Sequence, residues 1–246
     1  MTDRHLDQLL DVLRLGTMKR YYDSFSLEAM KTNKTMIDYL KALAQEEYND
    51  RMDNRIKRLI SQAKFPVVKT LAEFDFKAIP NLNKPMILSL AECHFVSEKH
   101  NICLLGQTGT GKTHLATAIA YEACKKKIPT LFFSAAKLIN LFIDARKLFQ
   151  LPPLQKKLAR AKLIVIDELG YIPFSKEGSE HLFQFFSDMY ERTSLIVTTN
   201  LEFSNWTQFM GDSTMTSAFL DRFTHHCEIL TLNGDSYRFK QRKKTT

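Results

Sequence analysis

No run of about 18 apolar residues, the length a membrane-crossing helix needs, occurs anywhere in the chain. The first residues, Met1-Thr-Asp-Arg-His, are polar and carry no signal-peptide core, so a cytoplasmic protein with no membrane partner is expected. Cysteine is sparse. Cys93, Cys103, Cys124 and Cys227 share no C-x-x-C spacing, which excludes a zinc ribbon or a thioredoxin-type pair and leaves reduced core thiols. Glycine is missing between Thr17 and Leu105, which suits a helical module followed by its linker. Acids are the minority charge, 27 against 35 Lys and Arg, for a net charge of +8 that hints at a polyanionic partner.

The glycines return together. Gly106-Gln107-Thr108-Gly109-Thr110-Gly111-Lys112-Thr113 fills every position of the G-x-x-x-x-G-K-[ST] phosphate-binding loop. An apolar strand, Asn101 to Leu105, precedes it, and an alanine-rich helix, His114 to Cys124, follows. That order aims backbone N–H groups and a helix N-terminus at a polyphosphate. Lys112 is expected to neutralise the β- and γ-phosphates and Thr113 to complete a Mg²⁺ shell, so ATP and Mg²⁺ are the predicted ligands.

Alternating elements extend on both sides. Residues 6–63 read as helical, with apolar spacing at Leu6, Leu9, Leu10 and Leu13. A break follows at Gly16, and a second helix is predicted to begin near Tyr21 or Ser24. A long helix spans 33–60, capped by Thr35, with an apolar stripe of Ile37, Leu40, Leu43 and Ala44, and Phe65-Pro66 ends it. One helix is predicted over 85–98, and Pro152-Pro153 is predicted to break the chain before a basic helix over 154–161. Strands are predicted at 101–105, 130–134, 163–166, 194–198 and 228–232. Their unalternating apolar character predicts a five-stranded parallel sheet covered on both faces, an α/β/α sandwich. The expected division is a helical module over 1–66, a connector over 67–84 and the ATPase domain over 85–246.

Leu163-Ile-Val-Ile-Asp167-Glu168 places two carboxylates at the C-terminal end of a strand, where ligands bind in open α/β sheets. Asp167 would join Thr113 at the Mg²⁺ site, and Glu168 would polarise the attacking water. Asn200 ends the 194–198 strand and reaches the γ-phosphate if that strand lies between the other two. Arg222, near the end of a helix over 213–223, is either a charge favourable to the helix dipole or an arginine finger offered to a neighbouring subunit. His225-His226-Cys227 is read as no metal site, because adjacent residues seldom converge on one ion. The stretch around Trp206 is either partner-facing or core.

Together these residues resemble the AAA+ ATPases of the helicase-loader group, and more closely the IstB-type helper ATPases of bacterial insertion sequences. The specific pieces are Asp167-Glu168-Leu-Gly-Tyr-Ile-Pro-Phe174, Thr199-Asn200-Leu, Leu220-Asp-Arg-Phe-x-His-His226 and Gly234-Asp-Ser-Tyr-Arg238. The resemblance implies an ATP-dependent oligomer that binds duplex DNA and works with a cognate transposase in target selection and integration. It makes Gly106–Thr113 the Walker A loop, Asp167-Glu168 the Walker B pair, Asn200 sensor one and Arg222 the trans-acting finger, with ATP sites at subunit interfaces. Arg238 resembles a sensor-two arginine, but only 14 residues follow Leu232, too few for a full helical lid. It could equally contact phosphate, a neighbour or DNA.

The N-terminal module then supplies the DNA contact. Arg51, Arg55 and Arg58 recur at helical spacing, and Lys57 and Lys64 add charge, a set suited to tracking phosphates with weak sequence preference. A replicative helicase loader would share every ATPase residue named, and a nucleotide-switched DNA scaffold with negligible turnover is the alternative of another class.

Overall fold

A computed structural model of the chain describes residues 3–234. These divide into two compact units, residues up to Arg58 and residues from Leu59 onward.

The first unit contains α1 (Arg4–Val12), α2 (Gly16–Lys31) and most of α3 (Met36–Ala63). Asp3 caps α1 by accepting from the His5 and Leu6 N–H groups. Thr35 and Asp38 cap α3 reciprocally, the Thr35 hydroxyl accepting from Asp38 N and the Asp38 carboxylate from Thr35 N. Helix α2 starts at Gly16, earlier than predicted, for a reason that lies 30 residues downstream. The buried Glu47 carboxylate on α3 accepts from the Thr17 and Met18 N–H groups at 2.9 and 3.0 Å, satisfying donors that a helix start leaves open. The core is small: Leu10, Tyr22 and Leu43 are buried. The predicted apolar stripes are only partly used, since Ile37 and Leu40 are 78% and 60% exposed and Leu9 and Leu13 are also exposed.

The second unit is built on β1 (Asn101–Gly106), β2 (Thr130–Ser134), β3 (Leu163–Leu169), β4 (Ser194–Thr199) and β5 (Cys227–Leu232). All pairings are parallel, in the order β2-β3-β4-β1-β5. Successive strand residues enter different cores. Ile102, Leu104, Leu163, Val165 and Ile196 join one cluster, and Cys103, Ile164, Ile166, Leu195 and Val197 join the other. Both faces are therefore covered, as the unbroken apolar strands require.

On the first face lie α4 (Lys84–Ala91), α5 (His94–Glu98) and α6 (Lys112–Lys125), with Phe74, Ile79 and Leu82 of the preceding segment. The opposite face carries α7 (Ala135–Lys147), α8 (Leu151–Ala159), α9 (Lys176–Met189), α10 (Thr207–Met210) and α11 (Ser213–Thr224). The single helix predicted over 85–98 is two, because Cys93 adopts a left-handed conformation (φ 61°) that interrupts the helical path. Pro152-Pro153 does not break the chain. It opens α8, where the missing N–H groups belong to positions without intrahelical partners. Trp206 is core: fully buried, it packs among Phe203, Phe209, Phe219 and Phe223 and donates from Nε1 to Leu201 O at 3.0 Å.

Three of the four thiols are core residues as expected, and Cys227, at the start of β5, is only partly buried. Cys93, Cys103 and Cys124 are buried, and desolvation pushes them up to about 11, 12 and 11, leaving them protonated.

Candidate nucleotide site

The loop between β1 and α6 has the backbone that its glycines permit. Gly111 takes φ 90° at the start of α6, and a Cβ there would lie 2.8 Å from the Phe74 ring. Gly106 runs so close to the last residue of β5 that a Cβ would sit 2.4 Å from Leu232 O. The Lys112 ammonium donates to the carbonyls of Gly106 and Gln107, both at 2.7 Å, and so lies over the loop. Thr110 closes the turn through its hydroxyl to Gln107 O at 2.8 Å.

A cavity of about 690 Å³ opens along this loop at the C-terminal ends of β1, β3 and β4. It is lined by loop residues 108–113, by Asp167 and Glu168, and by Asn200, so the residues expected from three separate segments share one space. β4 lies between β1 and β3, the arrangement on which the Asn200 expectation depended.

Asp167 is 6% exposed. It accepts from the Thr113 hydroxyl at 2.9 Å and from the Thr198 hydroxyl at 2.5 Å. Burial pushes its carboxyl above the usual range, against the opposing pull of Thr198, Thr113 and the Lys112 charge. A buried carboxylate in that condition, beside a hydroxyl on the loop, is a fitting donor set for a divalent cation.

Glu168 follows on a bulge. Ile166 pairs with Val197 and Leu169 with Thr199, so Asp167 and Glu168 together oppose Thr198. Glu168 takes φ 61°, and its N–H donates to the Thr198 hydroxyl at 2.9 Å. Strict alternation would send neighbouring side chains to opposite faces. The slip instead leaves Asp167 buried and Glu168 exposed, with both lining the cavity. One threonine thus orders both acids. Thr198 belongs to no sequence motif, although its place at the polar end of an apolar strand is a usable signal.

Other lining residues were not expected at this site. Lys64, Val67, Lys69 and Phe74, from the segment before α4, form part of the wall. Phe74 meets the His114 ring edge-on at 5.2 Å, and a His114 ring nitrogen bonds Thr70 O at 2.8 Å, fixing this segment to the first turn of α6. Tyr171 bonds the Thr108 hydroxyl from the loop after β3.

Several expected residues lie elsewhere. Arg222 is half-buried on α11, outside the lining of the cavity. It donates to Ala218 O at 3.0 Å, with its guanidinium 5.4 Å from the centre of the Phe183 ring. Lys64, expected among the DNA contacts, lines this cavity because α3 ends at Ala63 and the chain turns there through a left-handed residue. Arg51 is exposed but engaged: it donates to Glu47 Oε1 at 2.7 Å and to Arg14 O at 2.6 Å. Arg55, Lys57 and Arg58 are exposed on α3. Arg238 lies outside the described residues. No helix among the described residues is long and apolar enough to cross a membrane.

Residues 8–245 match the family described as IstB-like ATP binding protein. A protein of insertion sequence IS21 from Pseudomonas aeruginosa is 33% identical over 97% of this chain and 90% of its own length. A protein of insertion sequence IS5376 from Geobacillus stearothermophilus is 34% identical over 94% of this chain and 92% of its own. Among solved structures, the DnaC helicase loader superposes with a TM-score of 0.53 at 21% identity, covering 61% of this chain and 87% of that one. DnaA from Aquifex aeolicus bound to AMPPCP gives 0.59 at 19%, covering 74% and 55%. These two likenesses establish the P-loop AAA+ fold.

Proposed function

The chain belongs to the IstB-like ATP-binding protein family, and on that premise we propose that it is an ATP-hydrolysing switch that assembles on duplex DNA and assists the transposase of its insertion sequence. The observation that carries the hydrolytic part is the convergence of loop residues 108–113, Asp167, Glu168 and Asn200 on one cavity. A site for binding alone has little need of an exposed carboxylate turned into it.

In this reading the polyphosphate of ATP lies along the loop, its charge met by loop N–H groups, the α6 N-terminus and Lys112. The base lies toward Phe74 and His114. Thr113 and Asp167 would hold Mg²⁺, which supplies charge neutralisation across the phosphate oxygens. Glu168 orients the attacking water and accepts its proton, while Asn200 hydrogen-bonds the water or the γ-phosphate. Arg222 lies outside the cavity of its own chain, which supports a role as a finger donated to a neighbour's site. Guanidinium stabilisation of the transferring phosphoryl is worth about 10³ to 10⁵ in rate.

DNA contact falls to Arg55, Lys57 and Arg58, since Arg51 is engaged within its own unit. Their charge reads backbone phosphate rather than base edges, giving salt-sensitive binding with weak sequence preference. Many such contacts become one tight complex when ATP orders the subunits.

The test is the ATPase rate as a function of protein concentration, with and without duplex DNA. Turnover per subunit should rise with both, and Arg222→Ala should remove the rise while still binding ATP. Turnover that is flat in both variables and unchanged by Arg222→Ala would contradict hydrolysis in trans.

A further inference from the structure

The end of the sheet opposite the cavity, where β4 and β5 begin, carries a cluster with no part in the chemistry above. Glu191 follows α9, and His225 and His226 join α11 to β5. All three side chains are exposed, and they present ligating atoms within 4.8 Å of one another. The adjacent histidines, read from the sequence as unable to form a metal site by themselves, gain a carboxylate that folding brings from 34 residues away.

We propose that Glu191, His225 and His226 bind a divalent transition-metal ion of the zinc class. Two imidazoles and a carboxylate are a donor set that such ions accept, with water at the remaining position. A tetrahedral zinc site places its donors roughly 3.4 Å apart, so small side-chain rotations close the site around an ion. The two imidazole centres are already 4.1 Å apart.

The surroundings hold both rings, His225 by a hydrogen bond of the kind that orients metal-bound histidines and His226 by ring stacking. His225 Nδ1 shares a hydrogen bond of 3.1 Å with the Tyr190 hydroxyl, which leaves Nε2 as its ligating nitrogen. His226 stacks on His100 at 5.1 Å with an interplanar angle of 15°, and His100 Nδ1 lies 3.6 Å from Glu98 Oε2. Cys227, next along the chain, points its thiol toward Glu228 O on its own strand and is not part of the donor set. An ion at this place links the turn after α9 to the end of α11, the helix that carries Arg222.

The experiment is titration of the nucleotide-free full chain with Zn²⁺ by calorimetry, and with Co²⁺ by visible absorption. One ion per chain is expected, with a Co²⁺ spectrum free of thiolate charge transfer. His225→Ala/His226→Ala should weaken Zn²⁺ binding by well over tenfold, and Tyr190→Phe by about tenfold through loss of the bond that orients His225. Zn²⁺ should raise the melting temperature of the wild type and leave that of the double variant unmoved. If the double variant fails to fold, Glu191→Gln carries the same test. Equal affinity in wild type and ligand variants, or a thiolate-bearing Co²⁺ spectrum, would overturn the site.

Discussion

Glu47 in the first unit and Asp167 in the second are each 6% exposed, yet their surroundings move them in opposite directions. Burial works against the charge of both. At Glu47 it is outweighed by the Arg51 guanidinium and the N–H groups of Met18 and Thr17, which together hold the carboxyl below its usual range. At Asp167 the hydroxyls of Thr198 and Thr113 and the charge of Lys112 do not offset burial, and the carboxyl is pushed up. The first carboxylate is complete within its own fold and serves structure. The second is costly to ionise as it stands, a condition common at binding sites.

The largest test of this contrast is Asp167→Asn. The amide oxygen can still accept from both threonines, so the fold should survive and its melting temperature should rise by about 2–4 °C as the buried charge is removed. Hydrolysis should fall about a thousandfold with loss of several kcal/mol of transition-state stabilisation, read as steady-state turnover. A lower melting temperature would break the comparison. Glu47→Gln should do the reverse: it should destabilise the first unit by about 2 kcal/mol in denaturant unfolding and leave ATP affinity unchanged.

The pH dependence sharpens the same contrast. Glu47 has a depressed pKa, so its contribution is present above the ordinary carboxylate range and is lost as pH falls through the folded-state value. Asp167 has a raised pKa, so its ionisation weakens the fold as pH climbs from about 4 through the raised value, and acid relieves that cost. Acid melts should therefore reach the first unit early. The smallest effect belongs to Arg58→Ala, which touches neither carboxylate. It should leave nucleotide affinity unchanged and reduce the salt slope of DNA binding by about one unit, measured by fluorescence anisotropy at several salt concentrations.

What the sequence disclosed follows from how local each signal is. The 106–113 loop, the five strands and the Asp167-Glu168 pair are contiguous patterns, and each stands where it was expected. The bulge at Glu168 was not legible, since a register slip depends on the facing strand and leaves no mark in residue type. Helix α2 begins early because of a carboxylate 30 residues away. The apolar stripes of the first unit predicted helices correctly but overstated their burial, because three short packing surfaces cannot cover every leucine. The wall around Phe74 was missed for a related reason: nothing in a connector's composition tells which side of a helix it will lie against.

The chain's single tryptophan, Trp206, lies wholly inside the second unit, whereas Tyr21, Tyr22, Tyr39 and Tyr48 belong to the first. Selective excitation of the indole therefore gives an optical signal from the second unit alone, and far-ultraviolet ellipticity follows both. Denaturation recorded in the two channels at once would separate the melting of the units without labels or truncation.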